Sequence, residues 1–428
     1  MRITFYGGVS EVGRSCMLIE DKSGKNIMLD CGVKLGEHTE YPLITNDEMR
    51  KVQNLFITHA HLDHCGYLPH VYAGNAKPRI LATKPTHDLA GVLLSDYRRI
   101  QKDDKFKQKD VDDVLKDMEL VEFNETKKAG FELNIFNAGH ILGSSMVRIN
   151  EHGGILYTGD ICMRKTKVLE ACEKNVHAHT LIVENTYGSK EDVLPNFKDS
   201  YQKMAASIRE AIKEGGWVLI PSFAVGRAQE ILLVLDDYMR SGAIPQVKIY
   251  MDGMIGKAMR IYRHNAYYAN EDIKKRILMS EDDPFNSPMF FKPKSKTKDD
   301  VFEEPCIIVT TSGMLSGGPV LGYLERMAGN PKNRLIFVGY QAEGTRGSKL
   351  LAGAKTIQIG DKEIEVHMKV ENLHISGHAD YNEIMQFIKS VRGLKRVFLV
   401  HGEKTEMKED LEKKFEVVTP RLLESHGI

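Results

Sequence analysis

The chain has 428 residues, 42% hydrophobic and 28% charged, the balance of an ordinary globular protein with room for two to three domains at roughly 150 residues each. Lys and Arg number 59 and so do Asp and Glu, so bulk charge gives no support for a polyanion-binding protein, and any such binding needs a local basic groove. The six cysteines form no C-x-x-C pair and no apolar run approaches the ~18 residues of a membrane span, which speaks against a thiolate zinc site, a disulfide scaffold and a membrane helix.

The N-terminus, MRITFYGG, reads straight into a strand without the arrangement of a signal peptide, which points to the cytosol. Up to Glu184 the chain reads as strand-rich, with apolar runs at Ile27–Leu29, Leu55–Ile57, Leu133–Phe136, Ile155–Tyr157 and Leu181–Val183. A helix runs from Pro85, where a first turn tolerates proline, to Ile100. The polar stretch Gln101–Asp117 predicts an exposed helix or helical hairpin. From Asn196 the rhythm changes. Helices at Phe197–Lys213, Arg227–Met239 and Ile255–Asn265 alternate with strands at Trp217–Ile220, Val247–Tyr250 and Cys306–Thr310; one more helix and the strand Leu335–Val338 follow. Such alternation predicts a parallel sheet covered by helices. The mixed-charge run KPKSKTKDD, Lys292–Asp300, reads as a flexible loop. After Gly353 strands return, with a helix at Tyr381–Val391 and a last strand at Val397–Val400. The simplest α/β architecture is a strand-rich domain, residues 1–187 and 353–428, split by an inserted α/β domain, residues 188–352.

Apolar runs repeatedly end in a residue able to bind metal or move a proton: IMLD at Asp30, LFITH at His59, LYTGD at Asp160, LIVE at Glu184 and FLVH at His401. In α/β proteins functional groups gather beyond the carboxyl ends of strands. The sharpest motif is Thr58-His59-Ala60-His61-Leu62-Asp63-His64, in which four metal-capable side chains lie within six positions. After a strand, His59 and His61 project from one side, and the turn that follows brings Asp63 and His64 around a second point. The set suits zinc, with iron or manganese as alternatives, and offers no thiolate. Four residues cannot fill two metal shells. His140, in the Gly-flanked turn NAGHILGSS, together with Asp160 and His401, completes the count. His177-Ala178-His179 is also an H-x-H, but it sits in a polar stretch without a carboxylate neighbour and reads as structural. The loops Thr311-Ser312-Gly313, Ser316-Gly317-Gly318 and Gly344-Thr345-Arg346-Gly347 have amides that can face a phosphate, with Arg346 adding charge; ordinary strand–helix turns read the same way.

Beyond H-x-H-x-D-H, the stretches HLDHCGYLPH, GHILGSS, ILYTGD, VENTYG, PSFAVGRAQE, TTSGMLSGGP, GYQAEGTRG, ISGHAD and LVHGE occur in order over essentially the whole chain. In this set the chain resembles the β-CASP nuclease branch of the metallo-β-lactamase superfamily. The likeness is nearest to endonucleases of the cleavage and polyadenylation specificity factor type and their archaeal counterparts, with RNase J more distant. The resemblance implies an αββα metallo-β-lactamase fold with an inserted Rossmann-like β-CASP domain. Because the chain starts directly in the lactamase-type domain, the KH domains of some archaeal relatives are expected to be absent. It implies two zinc ions, one held by His59, His61 and His140, the other by Asp63, His64 and His401, with Asp160 bridging. Asp30 would orient the histidine loop, and His378, oriented by Glu184, would donate the proton to the leaving 3′ oxygen. Ser222 and Arg227 resemble substrate-side positions, joined by Ser312, Gly313 and Arg346 in the inserted domain, which would clamp the strand. His374 reads as a core or supporting histidine.

The implied function is a zinc-dependent ribonuclease acting on single-stranded RNA in the cytoplasm, cutting internally, from a 5′ end, or both, as a homo-oligomer or within an RNA-processing complex. Two rivals share the motif: a small-molecule metallohydrolase, such as a lactamase or thioesterase, and a non-catalytic RNA-binding scaffold. Glu184, His378 and the large insertion count against the first, and the complete ligand set against the second.

Overall fold

A computed structural model describes residues 1–36, 38–100, 105–280 and 282–428. They fall into two compact units, the first comprising Met1–Lys165, Leu169–Val193 and His378–Ile428, the second Thr166–Val168 and Leu194–Gly377.

The first unit contains two seven-stranded sheets. One runs Ser425–Gly427, Arg2–Gly7, Cys16–Glu20, Asn26–Leu29, Asn54–Phe56, Arg79–Thr83, Glu119–Val121, and its last four strands are parallel. The other runs Glu416–Val418, Arg396–Val400, Thr180–Glu184, Ile155–Tyr157, Ser145–Ile149, Phe131–Asn137, Thr126–Ala129, with its first four strands parallel. Alternation sets the inner faces: Ile3 and Phe5, Met17 and Ile19, Ile27 and Leu29 from one sheet share a single buried cluster with Phe131, Leu133 and Ile135, Val147 and Ile149, Ile155 and Tyr157 from the other. The outer face of the second sheet is covered by the helix Tyr381–Ser390, which starts on an Asp380–Glu383 capping box and buries Tyr381, Ile384, Phe387 and Ile388. The helix Lys84–Ile100 packs against Arg79–Thr83 and Glu119–Val121 and buries Leu89, Leu93, Leu94 and Tyr97. The layers are therefore helix, sheet, sheet, helix. Phe398 is fully buried in the shared cluster, its ring 5.6 Å from that of Phe5. Phe398→Ala should cost ~3–5 kcal/mol and lower the urea midpoint accordingly. An unchanged midpoint would mean that the two sheets do not depend on this core.

The second unit is built on a six-stranded sheet, Phe290–Phe291, Ile249–Met251, Ile307–Thr310, Val218–Pro221, Arg334–Phe337, Lys369–Asn372, all parallel. Its central strands are buried along their whole length, as a sheet covered on both faces requires. Helices Phe197–Lys213, Arg227–Arg240 and Val320–Met327 pack against its strands.

Several readings of the sequence are corrected. The second break between units falls at 377/378 instead of 352/353, because Lys369–Asn372 pairs with Arg334–Phe337 and belongs to the inserted sheet. Val397–Val400 is not the last strand. Glu416–Val418 and Ser425–Gly427 follow, the latter too short and polar to show in a hydrophobic pattern and specified only by pairing with Arg2–Thr4. Helices at Glu271–Met279 and Met407–Leu411 were not anticipated. In the stretch expected as an exposed helix, Gln101–Asp104 lies outside the described residues, and the helix Gln108–Asp117 buries Val111 and Val114. The Lys292–Asp300 loop is tied down by Lys298 to Asp252 at 2.7 Å and Arg326 to Asp299 at 3.1 Å. His374 is exposed in a left-handed conformation (φ 48°) instead of lying in the core. No described helix is long and apolar enough to cross a membrane.

Candidate metal centre

Parallel pairing gathers the chemistry of the first unit at one edge. Asp30 follows Asn26–Leu29, and His59 lies three residues beyond Asn54–Phe56, its parallel neighbour. In the second sheet Ile155–Tyr157, Thr180–Glu184 and Arg396–Val400 run side by side and deliver Asp160, Glu184 and His401. Asp30 (φ 56°) and His401 (φ 53°) both take left-handed backbone at the strand exit, a conformation L residues rarely adopt outside functional turns. Two glycines are required by close approach. A Cβ on Gly159 would stand 2.6 Å from Thr58 Oγ1, and one on Gly32 would stand 1.8 Å from the Asp63 carbonyl oxygen. The histidine loop is anchored on its backbone: the Ser15 amide donates to Asp63 O (2.8 Å) and the Cys31 amide to His64 O (2.7 Å). The single turn Leu62–Cys65 then swings Asp63 and His64 round behind His61.

Two groups result. Ligand atoms of His59, His61, His140 and Asp160 lie within 4.8 Å of one another, and so do those of Asp63, His64 and His401. In the first group His61 Nδ1 is 3.2 Å from His59 Nε2 and 3.1 Å from His140 Nε2. In the second, His401 Nε2 is 3.3 Å from Asp63 Oδ2. Asp160 faces both. Its Oδ2 lies 3.5 Å from His59 Nε2 and 3.7 Å from His140 Nε2, while its Oδ1 lies 3.4 Å from His64 Nε2 and 3.6 Å from His401 Nδ1.

Asp30 is fully buried and works from behind. It accepts from the Thr58 amide and hydroxyl and from the Tyr157 hydroxyl, each at 2.8 Å, and holds His64 Nδ1 at 2.7 Å, which aims His64 Nε2 at Asp160. Glu184 is equally buried. It accepts from the Ile161 amide and the Thr186 hydroxyl, each at 2.6 Å, and holds His378 Nδ1 at 2.9 Å. Asp160, Glu184 and His401 form a third metal-capable group, but those three bonds already occupy both Glu184 oxygens.

The electrostatics show what the centre demands. Burial alone would raise the carboxyls, yet the imidazoles of His64 and His401 hold Asp160 well below the usual carboxylate range, and the same pair holds Asp63 down. Burial would likewise keep the imidazoles neutral, yet Asp160 and Asp30 raise His64, and Glu184 and Asp160 push His378 up to about 9. At His59 and His61 burial outweighs the pull of the neighbouring carboxylates, and both are lowered. Buried anions here call for positive charge. Asp160 Oδ1 and His64 Nε2 are moreover buried without a hydrogen-bond partner, an arrangement that is costly unless a cation answers it. A mixed imidazole–carboxylate set with bare ligand atoms fits zinc.

Some contributors went unread in the sequence. Thr58, Tyr157 and Thr186 supply the hydroxyls that fix Asp30 and Glu184, and all three sit inside the very motifs that carry the ligands. Arg164 and Glu383 had no such signal. Arg164 Nε lies 3.1 Å from Glu383 and Nη2 donates to His378 O at 3.4 Å, so the pair steadies the segment bearing His378. His177 and His179, with rings 5.5 Å apart, enter no metal-capable group among the described residues.

The expected substrate-side residues all lie in the second unit. Ser222 is buried, its amide donating to Thr310 O. Arg227 opens the helix Arg227–Arg240, is 7% exposed, and keeps Nη1 buried without a hydrogen-bond partner. The Ser312 hydroxyl accepts from the Ser316 and Gly317 amides, Gly313 packs on the Ser222–Phe223 backbone, and Arg346 donates to the carbonyls of Gln358 and Leu315. The Ser312 hydroxyl thus serves its own loop, and the Arg346 guanidinium ties its loop to two neighbouring segments.

Family models match three stretches: the Beta-Casp domain at residues 228–350, the Zn-dependent metallo-hydrolase RNA specificity domain at 363–420, and the anti-Pycsar protein Apyc1 at 8–213. Among curated relatives, an RNase J-like protein of Methanocaldococcus jannaschii is 37% identical over 407 residues, covering 94% of this chain and 92% of its own length. Transcription termination factor FttA of the same organism is 35% identical over 428 residues, covering 95% of this chain and 67% of that protein. FttA of Lokiarchaeum is 36% identical over 429 residues, covering 95% and 67%.

Proposed function

The chain belongs to the β-CASP branch of the metallo-β-lactamase superfamily and is a metal-dependent ribonuclease, and from that premise we propose that it hydrolyses single-stranded RNA with two zinc ions bridged by Asp160. The observation that carries the two-ion reading is the division of Asp160, whose two oxygens face different histidine pairs. His59, His61 and His140 would hold one ion, and Asp63, His64 and His401 the other. Zinc so held would acidify water and polarise a phosphoryl oxygen, the two services phosphodiester hydrolysis needs.

The remaining steps fall to the protein's own groups. Glu184 fixes His378 through Nδ1, which sets Nε2 to carry the proton given to the leaving 3′ oxygen. Products then bear a 5′ phosphate and a 3′ hydroxyl. Asp30 is a positioning residue for His64. Asp30→Asn should weaken zinc binding ~10–100-fold with the fold retained, read by competition with a chromogenic chelator. Unchanged affinity would reduce Asp30 to a structural part. Of the substrate-side residues in the second unit, Arg227 would serve a phosphate best, because its guanidinium keeps a buried nitrogen without a partner. Cytoplasmic placement belongs to the same reading and is supported by six buried, unpaired cysteines.

The test is incubation of the zinc-loaded chain with 5′- and 3′-end-labelled RNA, single-stranded or in a stable duplex. Cutting should favour the single strand, weaken as salt rises because phosphate contacts release counterions, and yield 5′-phosphate ends. Equal cutting of the duplex, or 5′-hydroxyl products, would overturn the reading.

A further inference from the structure

At the opposite end of the strands that deliver Glu184 and His401 lies an open groove of about 500 Å³, lined by Phe136, Arg148, Lys174, His177 and Arg392 among others. His177 and His179 immediately precede the strand Thr180–Glu184, and Arg392 and Lys395 precede Arg396–Val400. At ~3.3 Å per residue, five-residue strands place the His177 and Arg392 end of the groove roughly 16 Å from the metal ligands at their other ends, while Phe136 lies near the end of the strand Phe131–Asn137 that leads to His140.

The charge there is unusual for this chain. Among the described residues, Arg148, Lys174, Arg392 and Lys395 form no ion pair with a carboxylate, although the next residue, Arg396, is paired with Glu416 at 2.8 Å. Glu173 is the one acid lining the groove. The arginines are pre-set: Arg148 Nε donates to His177 O at 2.5 Å and Arg392 Nε to Asn175 O at 2.7 Å, which fixes both guanidinium planes while their charge faces solvent. Burial first, then the charges of Lys395, His177 and Arg148, push the His179 imidazole toward its neutral form. In a protein of zero net charge, Arg148, Lys174 and Arg392 around one groove, with Lys395 next to it in sequence, repel one another with no carboxylate paired to them among the described residues. A polyanion removes that cost.

We propose that this groove is a second RNA-binding site, holding the phosphate backbone of a strand outside the cut region. RNA is favoured over an acidic peptide because the fixed guanidinium planes match phosphate and the half-buried Phe136 and the asparagine amides offer stacking and hydrogen bonds to bases.

The test compares the intact chain with Lys174→Glu/Arg392→Glu and with the milder Lys174→Gln/Arg392→Gln. Binding is measured by anisotropy with labelled single-stranded RNA of about 30 nucleotides in an Asp160→Ala background, and cutting is measured with RNA of about six nucleotides in the otherwise intact chain. Both double variants should melt as the parent does and cut the short RNA at its rate. The glutamate pair should lose at least ~10-fold in affinity for the long RNA and lower the slope of log affinity against log salt by about one, and the glutamine pair should lose less. Unchanged affinity and slope in a folded variant would overturn the proposal, as would an equal loss on the short RNA, which would tie the groove to the cut site. Polyglutamate binding the parent as tightly as RNA would reassign the groove to an acidic polypeptide. If the glutamate pair fails to fold, the glutamine pair decides.

Discussion

Replacing His378 with alanine should slow RNA cleavage ~10²–10⁴-fold while both metal sites stay loaded and the fold is kept. The expectation rests on position. His378 lies 2.9 Å from a buried Glu184 that is itself fixed by the Ile161 amide and the Thr186 hydroxyl, so the imidazole is held in one orientation. It also stands beside the ligands, its ring centroid 4.5 Å from that of His140. A proton donor and a merely structural residue separate on the leaving group. RNA whose scissile 3′ oxygen is replaced by sulfur departs as a thiolate and needs little proton help. The variant should cut that substrate nearly as fast as the parent, with the deficit confined to the oxygen substrate. A structural role damages geometry and predicts equal deficits on both, and so does loss of metal, so zinc is measured alongside. Equal deficits with zinc intact would remove His378 from proton transfer.

Asp160→Ala should abolish cutting, a fall on the order of 10⁴-fold or more, and strip both ions together. Its Oδ2 lies by His59 and His140 and its Oδ1 by His64 and His401, so its loss touches both histidine groups. Asp160→Asn keeps the volume and one oxygen, and it guards against a loss that reflects misfolding. Metal analysis of the folded variants decides. Two full equivalents retained would take Asp160 off the metals altogether, and one equivalent would leave it serving a single ion.

What the sequence made legible follows from how local each signal is. Helix Phe197–Lys213 is legible to the residue because its apolar periodicity is complete within the segment, and strand Ile155–Tyr157 because it is a bounded apolar run. Asp30, His59, Asp160, Glu184 and His401 are readable because each ends an apolar run, and parallel pairing converts chain position into spatial convergence; His61, Asp63 and His64 are readable from one local motif, and His140 from a Gly-flanked turn. What escaped depends on distant partners. Ser425–Gly427 is a strand only because Arg2–Thr4 lies beside it, and Lys369–Asn372 joins the inserted sheet only through Arg334–Phe337. Arg164 gives no hint of its place until the helix carrying Glu383 is folded against it. Ser312 and Arg346 show the converse: their loops look built for phosphate, but the groups that suggested it are turned to backbone carbonyls and amides.

The most direct test is a zinc titration of the purified, chelator-stripped chain, scored by cleavage of end-labelled single-stranded RNA and by bound zinc in the same samples. Activity should be absent after stripping and return only as zinc is restored, reaching its plateau at two equivalents per chain, with Asp160→Ala silent throughout. Cleavage that survives stripping, or saturates at one equivalent, would contradict a two-zinc centre bridged by Asp160.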